Sequence, residues 1–231
     1  MKRRDFVMAC AASAALPASL ALGADARPHR YARARLVDAN GVPLRAQAIP
    51  VDRNLVFHYP YAATPCFLLN LGKPLEAHAR LRTADQTPYE WGGGVGAQHS
   101  IVAYSAICAH KLTYPTRDIS FISYRPEKTP GNKLAAVIHC CSEHSQYDPA
   151  QGGRVLAGPA PQPLAAILLE HDAASDALYA VGTLGGELFH EFFEKYAFRL
   201  AMEHGNRAQQ PVGDTCVVQE LDNYCRQQVK C

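Results

Sequence analysis

The chain has 231 residues, 48% hydrophobic and 19% charged, with 16 Gly and 16 Pro, enough for one sizeable core or a core plus a subdomain. A formal net charge of +2 with scattered Lys and Arg excludes a nucleic-acid surface. Eight cysteines are more than an ordinary core requires and direct attention to disulfides or a metal.

At the N-terminus, Lys2, Arg3 and Arg4 precede an Ala- and Leu-rich run and the small-residue site Ala24-Asp25-Ala26, which predicts an export signal over 1–26. The order Arg3-Arg4-Asp5-Phe6 resembles a twin-arginine signal, a route for proteins already folded around a cofactor, and predicts a periplasmic location. An uncleaved anchor from Phe6 to Gly23 ranks lower, because Pro17 interrupts a run only about as long as the minimum span. Cys10 belongs to the signal. Cleavage after Ala26 leaves an odd number of cysteines, so disulfides cannot account for all of them.

Residues 27–50 are polar and irregular and read as an extended N-terminal segment. The runs 55–61 and 66–72 are short, apolar and bounded by Pro, Asn and Gly, which predicts strands. Residues 73–97 read as an excursion, and 100–108 as a buried strand ending at Cys108. Two further strands, 121–124 and 134–138, flank a turn-rich stretch, and the second leads into Ile-His-Cys-Cys-Ser-Glu-His-Ser at 138–145. A Gly- and Pro-rich loop follows, then a hairpin made by 165–172 and 177–183. After Gly185-Gly186 the residues Leu188, Phe192, Tyr196, Leu200 and Ala201 fall at helical spacing before Gly205. The tail carries Cys216, Cys225 and Cys231, read as a source of one disulfide within the tail, and a shorter helical pattern.

Two strand ends deliver C-x-H (Cys108, His110) and C-x-x-H (Cys141, His144), which can bring two thiolates and two imidazoles together. A closed zinc tetrahedron is one use of that set. Zinc fingers pair Cys with Cys and His with His in sequence, whereas here each loop has one of each. The mixed distribution favours a 2Fe-2S centre with both cysteines on one iron and both histidines on the other. Neutral imidazoles leave less negative charge on such a centre, so its reduction potential lies above that of all-cysteine clusters.

The stretches 95–110, 140–164 and 170–182 resemble the corresponding parts of Rieske 2Fe-2S proteins, and most closely the small subunit of arsenite oxidase. The resemblance covers 51–185. It implies an all-β, Rieske-type antiparallel fold with a small cluster-binding subdomain, to which 186–231 adds a helical C-terminal extension. It further implies Cys108 and Cys141 on one iron and His110 and His144 on the other. The cluster loops would be 108–113 and 139–148, with a Pro loop at 157–164 covering them. A catalytic oxidoreductase subunit, molybdenum-containing by the same resemblance, would supply electrons, and a c-type cytochrome or similar acceptor would receive them.

The chain departs from the family in two places. Thr113 and Glu143 stand where many relatives carry a bracing cysteine pair, so packing and loop hydrogen bonds are expected to replace that clamp. The residues after His144 are shifted, leaving Ser145 and Tyr147 as alternative hydroxyl donors to the cluster sulfurs. Cys140 and His139 are read as scaffold, because only Cys141 gives C-x-x-H. Glu187 and His190 form E-x-x-H, but di-iron bundles need a second copy, so a polar helix face is the stronger reading. An oxygenase is excluded for want of a mononuclear-iron domain. The alternatives are a quinol to cytochrome c reductase subunit and a zinc-binding or cluster-less interaction protein.

Overall fold

The alternation of apolar and polar residues through most of the chain builds strands, and the computed structural model describes them over residues 27–75, 78–128 and 133–231. In chain order they are β1 (His29–Val37), β2 (Leu55–His58), β3 (Pro65–Asn70), β4 (Ala79–Arg82), β5 (Pro88–Trp91) and β6 (Ile101–Ser105). Next come β7 (Ile119–Ser120), β8 (Ile122–Arg125), β9 (Val137–Cys140), β10 (Ser145–Asp148), β11 (Arg154–Ala157), β12 (Ala166–Asp172) and β13 (Ala177–Leu184). The C-terminal part adds α1 (Phe189–His204), β14 (Thr215–Val217), β15 (Gln219–Glu220), α2 (Leu221–Tyr224) and β16 (Gln227–Gln228). The fold is all-β with one substantial C-terminal helix. The signal expected over 1–26 lies outside the described residues. Among the described residues, no helix is long and apolar enough to cross a membrane.

The large sheet runs β14-β1-β13-β12-β6-β3-β2-β15, antiparallel except where β1 meets β14. Its two edge strands, β14 and β15, are separated in sequence by Val218 alone, so the sheet curls almost into a barrel. That arrangement protects both edges. The smaller sheet, β11-β10-β9-β8, is antiparallel throughout and carries the second expected ligand loop between β9 and β10.

Side chains alternate across β3. Cys66 and Leu68 join a core shared with Leu36, Phe57, Ala103, Ile167 and Leu178, while Phe67 and Leu69 face the other way. The second face meets the small sheet through Ile122, Tyr124, Ile138, Cys140 and Tyr147. The hydrophobic seam between the two sheets therefore ends at the cysteine-bearing loops.

Three local expectations change. Residues 29–37 form a nine-residue strand rather than an irregular segment: pairing with β13 buries Ala34 and Leu36 on one face and leaves the Arg-rich face outside. The excursion 73–97 contains the hairpin of β4 and β5, whose Leu81, Tyr89 and Trp91 reach the seam. The helical spacing after Gly186 is realised from Phe189, and the buried face is Phe189, Phe192, Phe193 and Leu200, with Ala201 exposed and Tyr196 at a kink (φ −108°, ψ 16°). Gly205, at φ +61°, ends the helix by donating its N–H to the Ala201 carbonyl.

The helix packs on Ile107 and Tyr114, the residues that flank the first ligand loop. The Tyr114 ring lies 4.9 Å from Phe192 and 4.9 Å from Tyr196, and Lys195 Nζ donates to the Lys111 carbonyl at 2.6 Å. The extension is thus a buttress for the loop rather than an appendage.

Where α2 meets β2, the His58 ring lies against Tyr224 and His204, with Tyr224 Oη 3.3 Å from His58 Nε2. Burial, and then the charges of His204 and Arg117, lower the His58 pKa to about 4. A histidine held neutral in the fold but free to protonate near 6.5 when unfolded makes the unfolded state bind more protons between those values. Stability is therefore full above about pH 6.5 and falls as pH drops toward 4, by up to about 3 kcal/mol from this group. Denaturant unfolding of His58→Phe should show a shallower loss between pH 7 and pH 4.5 than the parent chain.

Candidate metal centre

β6 carries the chain to Ser105, and the loop beyond it places Cys108 at 1% exposure, with His110 partly open to solvent. In the second loop, β9 continues through Cys140 instead of ending at Ile138. Ile138 and Cys140 share its inner face, both wholly buried in the seam. The Cys140 thiol hydrogen-bonds to the Cys108 sulfur.

Cys108 is fixed by its own loop, its N–H donating to the Thr113 carbonyl at 2.8 Å and its carbonyl accepting the Leu112 N–H at 2.9 Å. Backbone N–H groups of His110 and Lys111 favour the Cys108 thiolate, and those of Ser142 and Glu143 the Cys140 thiolate. The Tyr147 hydroxyl accepts the Ala109 N–H at 3.1 Å and lies 3.2 Å from Cys108 Sγ, to which it donates when that sulfur is a thiolate. The Cys140 thiol, outweighing burial and aided by Tyr147, pulls the Cys108 pKa down. Cys140 is pushed up by the same bond, then by burial.

Cys141, expected as a ligand, is bonded to Cys231 across 90 residues, with Cα atoms 5.7 Å apart. This corrects the expectation of a disulfide within the tail, and it occupies the sulfur that the C-x-x-H spacing offered as a ligand. Strand alternation is the cause: with Cys140 facing inward, Cys141 emerges on the opposite side, where the tail runs along Phe121–Arg125. The tail is fixed there by β16 pairing with β7, by Val229 N–H donating to the Ser120 carbonyl at 2.8 Å, and by Arg125 donating to the Val229 carbonyl. Cys216 and Cys225 are buried free thiols.

His110 Nδ1 is buried without a hydrogen-bond partner among the described residues, an orphan of the kind a metal satisfies. His144 is exposed, at φ +59°, on the loop after Cys140. Glu143 accepts Lys111 Nζ at 2.7 Å and so links the two loops by an ion pair. That hydrogen bond, then the charges of Lys111, His110 and His144, hold its carboxyl below the usual range. Buried Ser145 Oγ also lacks a partner among the described residues, whereas Tyr147 is engaged with Cys108 and Ala109. Both hydroxyls named from sequence therefore lie on the strand beside the thiol pair.

The Pro loop closes over this region. Gly158, at φ +86°, comes so close to the second loop that a Cβ there would lie 2.5 Å from the His144 carbonyl oxygen and 2.6 Å from Ser145 Cα. Only glycine permits that approach of two backbones. Glu187, of the E-x-x-H pair, is engaged by Tyr31 and Thr183 and lies 3.1 Å from His29 Nδ1, while His190 meets Glu194 one turn on. They do not form a site together.

A second group, His139, Cys141 and Cys231, has its ligand atoms within 4.8 Å of one another. Its two sulfurs are spent in the disulfide. The free donors in and beside the two loops are the buried Cys108 and Cys140, His110 with its unpartnered Nδ1, and the exposed His144, whose ring lies 5.8 Å from that of His139. Cys140 is read from the sequence as scaffold. The signal was present in the alternation of Val137-Ile138-His139-Cys140, which places Cys140 with the buried Ile138.

No family model matches the chain. Among solved structures it is similar to the soluble domain of the Rieske protein II (soxF) from Sulfolobus acidocaldarius, at 25% identity over 68% of this chain and 82% of that chain, with a TM-score of 0.45.

Proposed function

We propose that the protein is an electron carrier built around a Rieske-type 2Fe-2S cluster, exported to the periplasm by its twin-arginine-like signal. We read it as the small subunit of an oxidoreductase of the arsenite oxidase kind. The observation that carries the reading is that two loops bring two buried cysteines, Cys108 and Cys140, into one core, each followed in its own loop by a histidine. A bound cluster of this type supplies one-electron transfer at a potential above that of all-cysteine clusters.

The chain's own residues supply the rest. Backbone N–H groups and the Tyr147 hydroxyl stabilise negative charge on sulfur, which favours the reduced state. The seam between the sheets keeps water from the cysteines, while His110 and His144 lie toward solvent, where a partner can approach. Among the described residues no substrate-converting constellation is evident; we assign chemistry on a substrate to a catalytic subunit, with a c-type cytochrome or similar protein as acceptor.

Metal and sulfide analysis of protein isolated without air tests the reading. Iron and acid-labile sulfide in equal amounts are expected, with a partner oxidoreductase copurifying. Stoichiometric zinc with no sulfide would refute it.

A further inference from the structure

The structure assigns Cys140, not Cys141, as the second cysteine ligand of the proposed cluster, and makes the Cys141–Cys231 disulfide a brace that fastens the C-terminal tail behind the ligand loop. The assignment rests on the Rieske reading above and refines it. It runs against C-x-x-H spacing and gives C-x-x-x-H in the second loop.

Two features support it. Cys140 is wholly buried on the inner face of β9, in the same core as Cys108, whereas Cys141 leaves the other side of the strand and is bonded to Cys231. The pairing of β9 with β10 sets Ser145, whose buried Oγ has no partner among the described residues, opposite Cys140, and Tyr147 on the same strand lies 3.2 Å from Cys108 Sγ, so both hydroxyls flank the Cys108 and Cys140 pair.

The brace differs from the ion pair of Lys111 and Glu143. The ion pair is exposed and joins loop to loop, whereas the disulfide joins the second loop to the chain terminus. The extension then supports both loops: α1 packs on the first, and the tail is bonded to the second. Forming this bond from two thiols releases two electrons and two protons, which the disulfide-forming oxidant of the compartment accepts.

Two measurements decide the assignment. In the iron-loaded wild-type chain, alkylation without reductant followed by peptide mass mapping should recover a Cys141–Cys231 cross-linked peptide and leave Cys140 unmodified until the iron is chelated. In variants, Cys140→Ser should lose the visible and paramagnetic signature of the cluster, while the double variant Cys141→Ser, Cys231→Ser should retain it. A cluster retained in Cys140→Ser but lost in the double variant, or Cys141 protected by iron with Cys231 free, would overturn the assignment and leave the Rieske reading standing. A Cys108–Cys140 disulfide in a wild-type chain that takes up neither iron nor sulfide would bring down both.

Discussion

Replacing Cys231 by Ser is expected to lower the unfolding free energy by about 2–4 kcal/mol, the usual range for a native disulfide that closes a long loop. The bond joins residues 90 apart, so it removes a large share of the unfolded chain's freedom. Few other ties hold the last residues: the short β16 pairing, the Val229 backbone bond and the Arg125 contact. Reduction of the wild-type chain should reproduce the loss, and Cys231→Ser should be insensitive to reductant. Urea titrations with and without reductant measure both. A variant as stable as the parent would mean that the tail is no brace.

Tyr147→Phe is expected to lower the reduction potential of the loaded protein. Its hydroxyl holds the Ala109 N–H and donates to the Cys108 thiolate, a bond that strengthens as sulfur gains negative charge. If that preference for the reduced state is worth about 1–1.5 kcal/mol, the potential falls by roughly 40–65 mV for a one-electron couple. The variant also leaves the Ala109 N–H buried without a partner, costing about 1–3 kcal/mol in stability. Ser145→Ala should act on the potential in the same direction, because the buried Ser145 hydroxyl has no partner among the described residues. Redox titration followed by visible absorption gives each shift; unchanged potentials in both variants would place neither hydroxyl at the cluster.

Much of the fold was legible because its strands are bounded by Gly, Pro and Asn and run apolar through the core. β2, β3, β6, β12 and β13 fall within the expected runs to within a residue or so. β1 was not legible: its outer face carries Arg30, Arg33 and Arg35, and only pairing with β13 reveals that Ala34 and Leu36 alternate inward. β4 and β5 were hidden for the same reason, with polar residues at every second position.

At the site, Cys108, His110 and His144 could be named from spacing, yet the choice between adjacent cysteines depended on where β9 ends. A strand that continues through Cys140 puts it on the inner face with Ile138 and turns Cys141 to the other side. The pairing with Cys231 is beyond any local pattern, since the connectivity of cysteines is not encoded in their spacing. The absence of the usual loop-to-loop clamp was legible at Thr113 and Glu143; its replacements, an ion pair from Lys111 and a disulfide to the terminus, are tertiary facts.

The central claim is a cluster with imidazole on one iron and thiolate on the other. The most direct measurement is electron paramagnetic resonance of the dithionite-reduced, iron-loaded protein, with nitrogen hyperfine couplings resolved at the same field positions. The account predicts a Rieske-type signal with couplings from two directly bound histidine nitrogens, reduced to one in His110→Cys. A signal without strongly coupled nitrogen, or a diamagnetic protein holding stoichiometric zinc, would contradict it.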